Sequence, residues 1–207
     1  PRLRGWFHAV AAVLFPVAGA WVVAQAPTAA ERRPALVFVL GMSSVFVVSS
    51  SFHLGPWTGT RYRTMRRLDH STNALAIAAA YTPFIAHCFA GTAEVALLVA
   101  CWTLALLAVA SRVIWIDAPA RVAAGTYLGL GWVGIVLLPF VATRIDGTDL
   151  ALALLGAALV TAGAVAYALG RPNPWPRWFG HHELFHLSAL AGQCLLLYVV
   201  WRLFGST

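Results

Sequence analysis

Seven apolar runs occupy most of this chain, near residues 5–25, 35–54, 68–90, 93–111, 122–142, 149–169 and 182–203. A hydrocarbon core about 30 Å thick asks for roughly 20 apolar residues per helical crossing. In lipid only a helix or a closed barrel satisfies its own backbone, and runs of this length read as helices. The expected architecture is therefore an all-α, integral membrane bundle of seven transmembrane helices, a single domain over residues 1–207. At 60% hydrophobic and 10% charged residues, and with 55–67 as its longest connection, the chain leaves no room for a second, soluble domain. The first run is long, carries Trp21 and lacks a small-x-small cleavage pattern, so it reads as a retained helix and not a signal peptide.

The formal net charge of +7 comes from 14 basic residues, all of them arginine. Alternate connections collect them: Arg2 and Arg4, then Arg61, Arg63, Arg66 and Arg67, then Arg112 and Arg121, then Arg171 and Arg177, against Arg32, Arg33, Arg144 and Arg202 on the other side. This asymmetry is a topology signal and not a nucleic-acid footprint. It predicts a cytoplasmic N-terminus and an extracytoplasmic C-terminus in a bacterial-type inner (plasma) membrane.

Turn and interface residues mark the breaks, with Trp57, Trp115, Trp175 and Trp178 suited to the headgroup level. Pro16, Pro83 and Pro139 fall inside spans, where each removes a backbone hydrogen bond. Gly125-x-x-x-Gly129 and Gly131-x-x-Gly134 would let another backbone approach the fifth helix closely. Cys88, Cys101 and Cys194 are read as buried thiols, with a Cys88–Cys101 bridge as the alternative.

The chemistry-bearing residues lie at one end of three spans. In His182-Glu183-Leu184-Phe185-His186 two imidazoles stand at i and i+4, on one helical face about 6 Å apart along the axis. With the N-terminus inside, the second helix ends, and the third and seventh begin, at the same membrane face, so His53, Asp69, His182 and His186 share one depth. Three histidines suit a zinc ion that keeps an open position for water. Ser49, one turn before His53, and Asp69 are then the candidate catalytic residues: Ser49 to orient water or an imidazole, Asp69 as proton acceptor or outer-shell partner. Ionisable groups in hydrocarbon cost about 2.5–3.5 kcal/mol each on insertion scales, so they need a partner or a role. Simpler readings stay open: each histidine hydrogen-bonded to a neighbour, and Asp69 paired with Arg66 or Arg67. His182 to His186 also reads as H-E-x-x-H, the pattern in which a glutamate activates water in metalloproteases. Against that, Glu183 reads as a headgroup-level carboxylate near Arg177. His8, His70, His87 and His181 are read as peripheral.

Ser49-Ser50-Ser51-Phe52-His53, Arg67-Leu68-Asp69-His70 with Tyr81-Thr82-Pro83-Phe84, and His182-Glu183-Leu184-Phe185-His186 together resemble the hemolysin III family. That family belongs with the progestin and adiponectin receptors and, more distantly, the alkaline ceramidases. The resemblance implies a seven-helix bundle with a zinc ion near the cytoplasmic face, ligands at His53, His182 and His186, an aspartate at Asp69 and a serine at Ser49. Phe52 stands where bacterial members usually have Tyr, and Ala80 where Gly is common. The expected function is a zinc-dependent hydrolase acting on a lipid amide or ester. The alternative is a lipid-sensing or membrane-homeostasis regulator with a structural zinc. An intramembrane protease ranks behind both, since its second motif would place an aspartate in a later helix whereas Asp69 comes far earlier, and so does a cytolysin, since no polar stripe runs through a whole span. Expected partners are a membrane lipid or lipid-derived substrate, with no nucleic acid; the oligomeric state is left open.

Overall fold

A computed structural model describes residues 1–205 of the chain. Among these residues there are seven long helical segments: α1 (Trp6–Gln25), α2 (Ala29–Leu54), α3 (Gly59–Cys88), α4 (Gly91–Ile114), α5 (Ala120–Val141), α6 (Gly147–Leu169) and α7 (His181–Phe204). No β-strand is found among the described residues, only an antiparallel bridge between Trp175 and Phe179 in the α6–α7 connection. Six of the helices are long and apolar enough to cross a membrane, and α3 is the seventh. The protein is an integral, multi-pass membrane protein.

α3 falls below the others in hydropathy because it starts in the arginine segment. The expected 55–67 connection is corrected here, since helix begins at Gly59 and contains all four arginines. Arginine is a good helix former, and here the turn is also held by side chains: Arg63 and Arg66 both donate to Asp117 in the α4–α5 connection, at 2.8 and 3.1 Å. α2 likewise starts before the expected residue 35, because Thr28 and Glu31 form a capping box that satisfies the first free N–H groups. In α5, Pro139 lacks an N–H and crowds the carbonyl four residues back, and the turn before it, Val133–Leu137, tightens to 3-10 geometry.

α1 packs against both α2 and α7. Phe15 of α1, Phe38, Met42 and Phe46 of α2, and Val199, Val200 and Phe204 of α7 fill the space between them. A second cluster, with Ala74, Ala78, Ile85, Cys101, Ala105 and Leu130, joins α3, α4 and α5. The outer faces stay apolar and exposed, as at Val13, Leu107 and Val136, which is how a lipid-facing surface differs from a soluble one.

At two glycines α6 and α7 approach each other closely. A Cβ on Gly192 would stand 2.7 Å from the Gly156 carbonyl oxygen, and one on Gly163 would meet the Ser188 side chain at 2.8 Å. The expectation of close backbone contact at the α5 glycines is corrected: Gly125, Gly129 and Gly131 have open space where a Cβ would stand, and Gly134 is approached by the Tyr81 ring, not by a backbone. The cysteine bridge is not formed either, as Cys88, Cys101 and Cys194 are all free thiols, the last of them exposed.

The N-terminal segment and the three connections expected to share its side do assemble at one end. Arg2 and Leu3 donate backbone N–H groups to Arg177 and Trp178, at 2.9 and 3.2 Å, and Arg67 donates to the Val113 carbonyl at 3.1 Å. Arg202 pairs with Asp149 at the opposite end, where α6 starts and α7 finishes. The end that gathers the N-terminus and the connections 55–58, 115–119 and 170–180 is called the arginine-rich end below.

Candidate metal centre

His53 sits in the last turn of α2 and His182 and His186 in the first two turns of α7, all at the arginine-rich end. α7 is started there by Glu183, whose carboxylate accepts the Gly180 N–H at 2.9 Å and the Arg4 Nε–H at 2.9 Å. Glu183 is 1% exposed. Its partner is therefore Arg4 and not Arg177, and both of its roles are structural: it caps the helix that carries the histidines and holds the N-terminal segment against them. That occupation argues against the protease reading, in which the same carboxylate must be free to work on water.

The three rings converge. His53 and His182 bring their Nε2 atoms to 3.3 Å with ring planes at 88°, and one ligating nitrogen from each of His53, His182 and His186 lies within 4.8 Å of the other two. Tetrahedral zinc with nitrogens at about 2.0–2.1 Å holds those nitrogens roughly 3.3 Å apart, so the tightest pair already has that spacing. The buried Nδ1 of His186 has no hydrogen-bond partner. Three neutral imidazoles at one point are a donor set for zinc and for other borderline divalent metals, so the residues fit a metal ion without naming which.

Gly5 explains how the first helix comes so near. It has φ +83°, a conformation that favours glycine, and a Cβ there would stand 2.8 Å from the Cβ of His53. This approach brings in His8, which is not peripheral as expected from sequence but packed against the site. His8 is 3% exposed and stacks on His186, ring centroids 4.1 Å apart and planes 8° apart. Imidazole lone pairs lie in the ring plane, so an ion held by His186 would stand off the parallel plane of His8. His8 would thus be a wall behind a ligand, not a ligand itself. Both of its ring nitrogens lack partners.

Asp69 and Ser49 line the same cavity as the three histidines. The Ser49 hydroxyl lies against the Asp69 carboxyl, whose Oδ1 is buried without a hydrogen-bond partner. Arg66 is occupied by Asp117 and Arg67 by a carbonyl, so the ion pair considered for Asp69 is not formed. His70 bonds the Tyr127 hydroxyl at 3.1 Å, His181 bonds Asn173 at 2.9 Å, and His87 is exposed at the far end of α3. Those three stay outside the cluster.

The cavity itself has a volume of about 810 Å³. Its head holds the histidines, Asp69 and Arg4, and its shaft is walled by residues such as Ile77, Phe84, Leu128, Leu138 and Leu196. On α7 the lining residues His182, His186, Ala189, Gln193 and Leu196 recur at helical spacing, one face from polar head to apolar shaft. Gln193 is a further polar residue missed from sequence; its amide oxygen is buried without a partner on the cavity wall.

With known families, residues 1–197 match the one described as Haemolysin-III related. The chain belongs to this family. Among curated relatives, the haemolysin-III chain is similar to "Hemolysin-3 homolog" of Bacillus subtilis (strain 168), 27% identical over 168 residues, which is 78% of this chain and 76% of that protein. It is also similar to "Hemolysin-3" of Bacillus cereus, 28% identical over 133 residues, 64% of this chain and 58% of that protein. No solved structure matches.

Proposed function

We propose that this haemolysin-III protein is a zinc-dependent membrane hydrolase acting on a lipid amide or ester. The observation that carries the reading is the conjunction in one cavity: three imidazoles from α2 and α7 at its head, an unpartnered buried carboxyl oxygen beside them, and an apolar shaft below. His53, His182 and His186 would hold the ion, which when bound supplies Lewis-acid activation of a water and of a scissile carbonyl. Asp69 would accept the proton that the attacking water gives up and return it to the leaving group, and Ser49 would hold the Asp69 carboxyl in register. The shaft would take an acyl chain and keep bulk water away, while Gln193 offers a hydrogen bond to a polar group partway down. We place the arginine-rich end in the cytoplasm.

The test is Asp69→Asn in the purified, metal-loaded protein. Metal content should stay at the wild-type level while release of fatty acid from lipid amides and esters falls by about 100-fold or more, the scale of positioned acid–base catalysis. Unchanged turnover would refute the role given to Asp69.

A second reading has its own observation. The three histidines come from two helices that α1 partly separates, so an ion there would tie α2 to α7 as a staple in a lipid-sensing regulator. Metal removal would then lower thermal stability, with no product from any lipid offered.

A further inference from the structure

Away from the metal centre, α4 and α5 leave a groove between them that opens to the membrane, with a volume of about 530 Å³. Its α4 wall is Leu104, Leu107, Ala108, Ser111 and Arg112, a stripe at helical spacing. Its α5 wall includes Gly125 and Gly129, each with nothing within 4 Å of where a Cβ would stand. The lower part is apolar and shaped by missing side chains. The upper part ends on a cation.

Arg112 is 2% exposed, and no carboxylate among the described residues lies within ion-pair distance of it. The nearest acid in sequence, Asp117, is held by Arg63 and Arg66. Arg112 Nε donates a long hydrogen bond to the Ser111 hydroxyl, at 3.4 Å. Arg112 lines this groove and not the central cavity, and its charge also bears on His70 and Tyr127 behind it. It lies in the last turn of α4 at the arginine-rich end, beside Val122 in the first turn of α5, the positive end of that helix dipole, with exposed Trp115 next to it. A buried, unpaired guanidinium calls for an anion, and the anion available at headgroup depth beside an open apolar groove is a lipid phosphate.

We propose that the α4–α5 groove is a binding site for one anionic phospholipid, its phosphate on the Arg112 guanidinium and one acyl chain over Gly125 and Gly129. Arginine suits the role because its planar fork meets two phosphate oxygens at once. The two glycines suit it because an acyl chain occupies the space that side chains would fill.

Native mass spectrometry of the full-length protein in neutral detergent tests this, with phosphatidylglycerol and phosphatidylcholine of identical acyl chains as probes. The wild type should retain one phosphatidylglycerol with about fivefold preference over phosphatidylcholine, the scale of one arginine near an anionic lipid surface. Arg112→Gln should bring the preference near unity, and Gly129→Leu should weaken binding of both lipids with the arginine intact. A preference unchanged in Arg112→Gln, or lipid retained in Gly129→Leu, overturns the proposal. So does a Gly129→Leu variant that changes a dimer into a monomer at constant lipid count, which would give the groove to a second copy of the chain. If Arg112→Gln does not fold, Gly129→Leu alone decides: retained lipid overturns, lost lipid supports.

Discussion

A histidine buried with both ring nitrogens unpartnered, as His8 is, carries a desolvation cost that ordinary core packing does not return. Its flat face against His186 gives it a reason to be there, because a ligand ring that cannot turn loses less entropy when it takes up an ion. Groups that orient a metal ligand are commonly worth 10–100-fold in affinity. His8→Ala should therefore weaken zinc binding about tenfold in a chelator competition, while His8→Phe, which keeps a flat ring on His186, should stay near wild type. An unchanged affinity in His8→Ala would remove the supporting role. Nothing local marked this residue. It has no histidine at i+4, and its neighbours Phe7 and Ala9 read as plain membrane helix. His182 and His186 declared themselves by spacing alone, whereas His8 became visible only when α1 was found against α2 and α7.

Among the helices, the α6–α7 contact positions the two α7 histidines of the cluster relative to the rest of the bundle. Gly156 and Gly192 meet backbone to backbone, so a side chain at either must push the helices apart. Gly192→Leu is expected to destabilise the protein by about 1–3 kcal/mol, the usual cost of overpacking a tight contact. The check is a thermal melt in detergent, with Gly147→Leu at the start of α6 as the control, since its Cβ position is open. The sequence reading looked for close packing at the more compact pattern Gly125-x-x-x-Gly129. Small residues permit an approach without requiring one, and Gly156 and Gly163, seven apart on one face of α6, were the pair that used it. The start of α3 was misjudged for a related reason. Four arginines look like a solvated connection until Asp117, far along the chain, is seen to hold two of them.

For the molecule as a whole, hydropathy and the arginine asymmetry carried most of the information. The helix count and order were legible because lipid forces each span to be long and apolar. The gathering of the N-terminal segment with alternate connections followed from the count, and Arg2 with Arg177 and Arg63 with Asp117 show it in atomic contacts. Which side that end faces is a separate matter, governed by the positive-inside rule. In a cysteine-free background, a cysteine at Arg61 should react with a membrane-impermeant thiol reagent only in inverted vesicles, and one at Thr143 only in right-side-out vesicles. The reverse pattern would turn the protein over and put the histidines at the outer face.

In the proposed function His53, His182 and His186 together hold one metal ion. Elemental analysis of the purified protein, beside a His53→Ala, His182→Ala, His186→Ala triple variant, measures it most directly. Close to one zinc per wild-type chain is expected, and almost none in the triple variant. A metal-free wild type purified without chelator, or a triple variant with the same metal content, would contradict it.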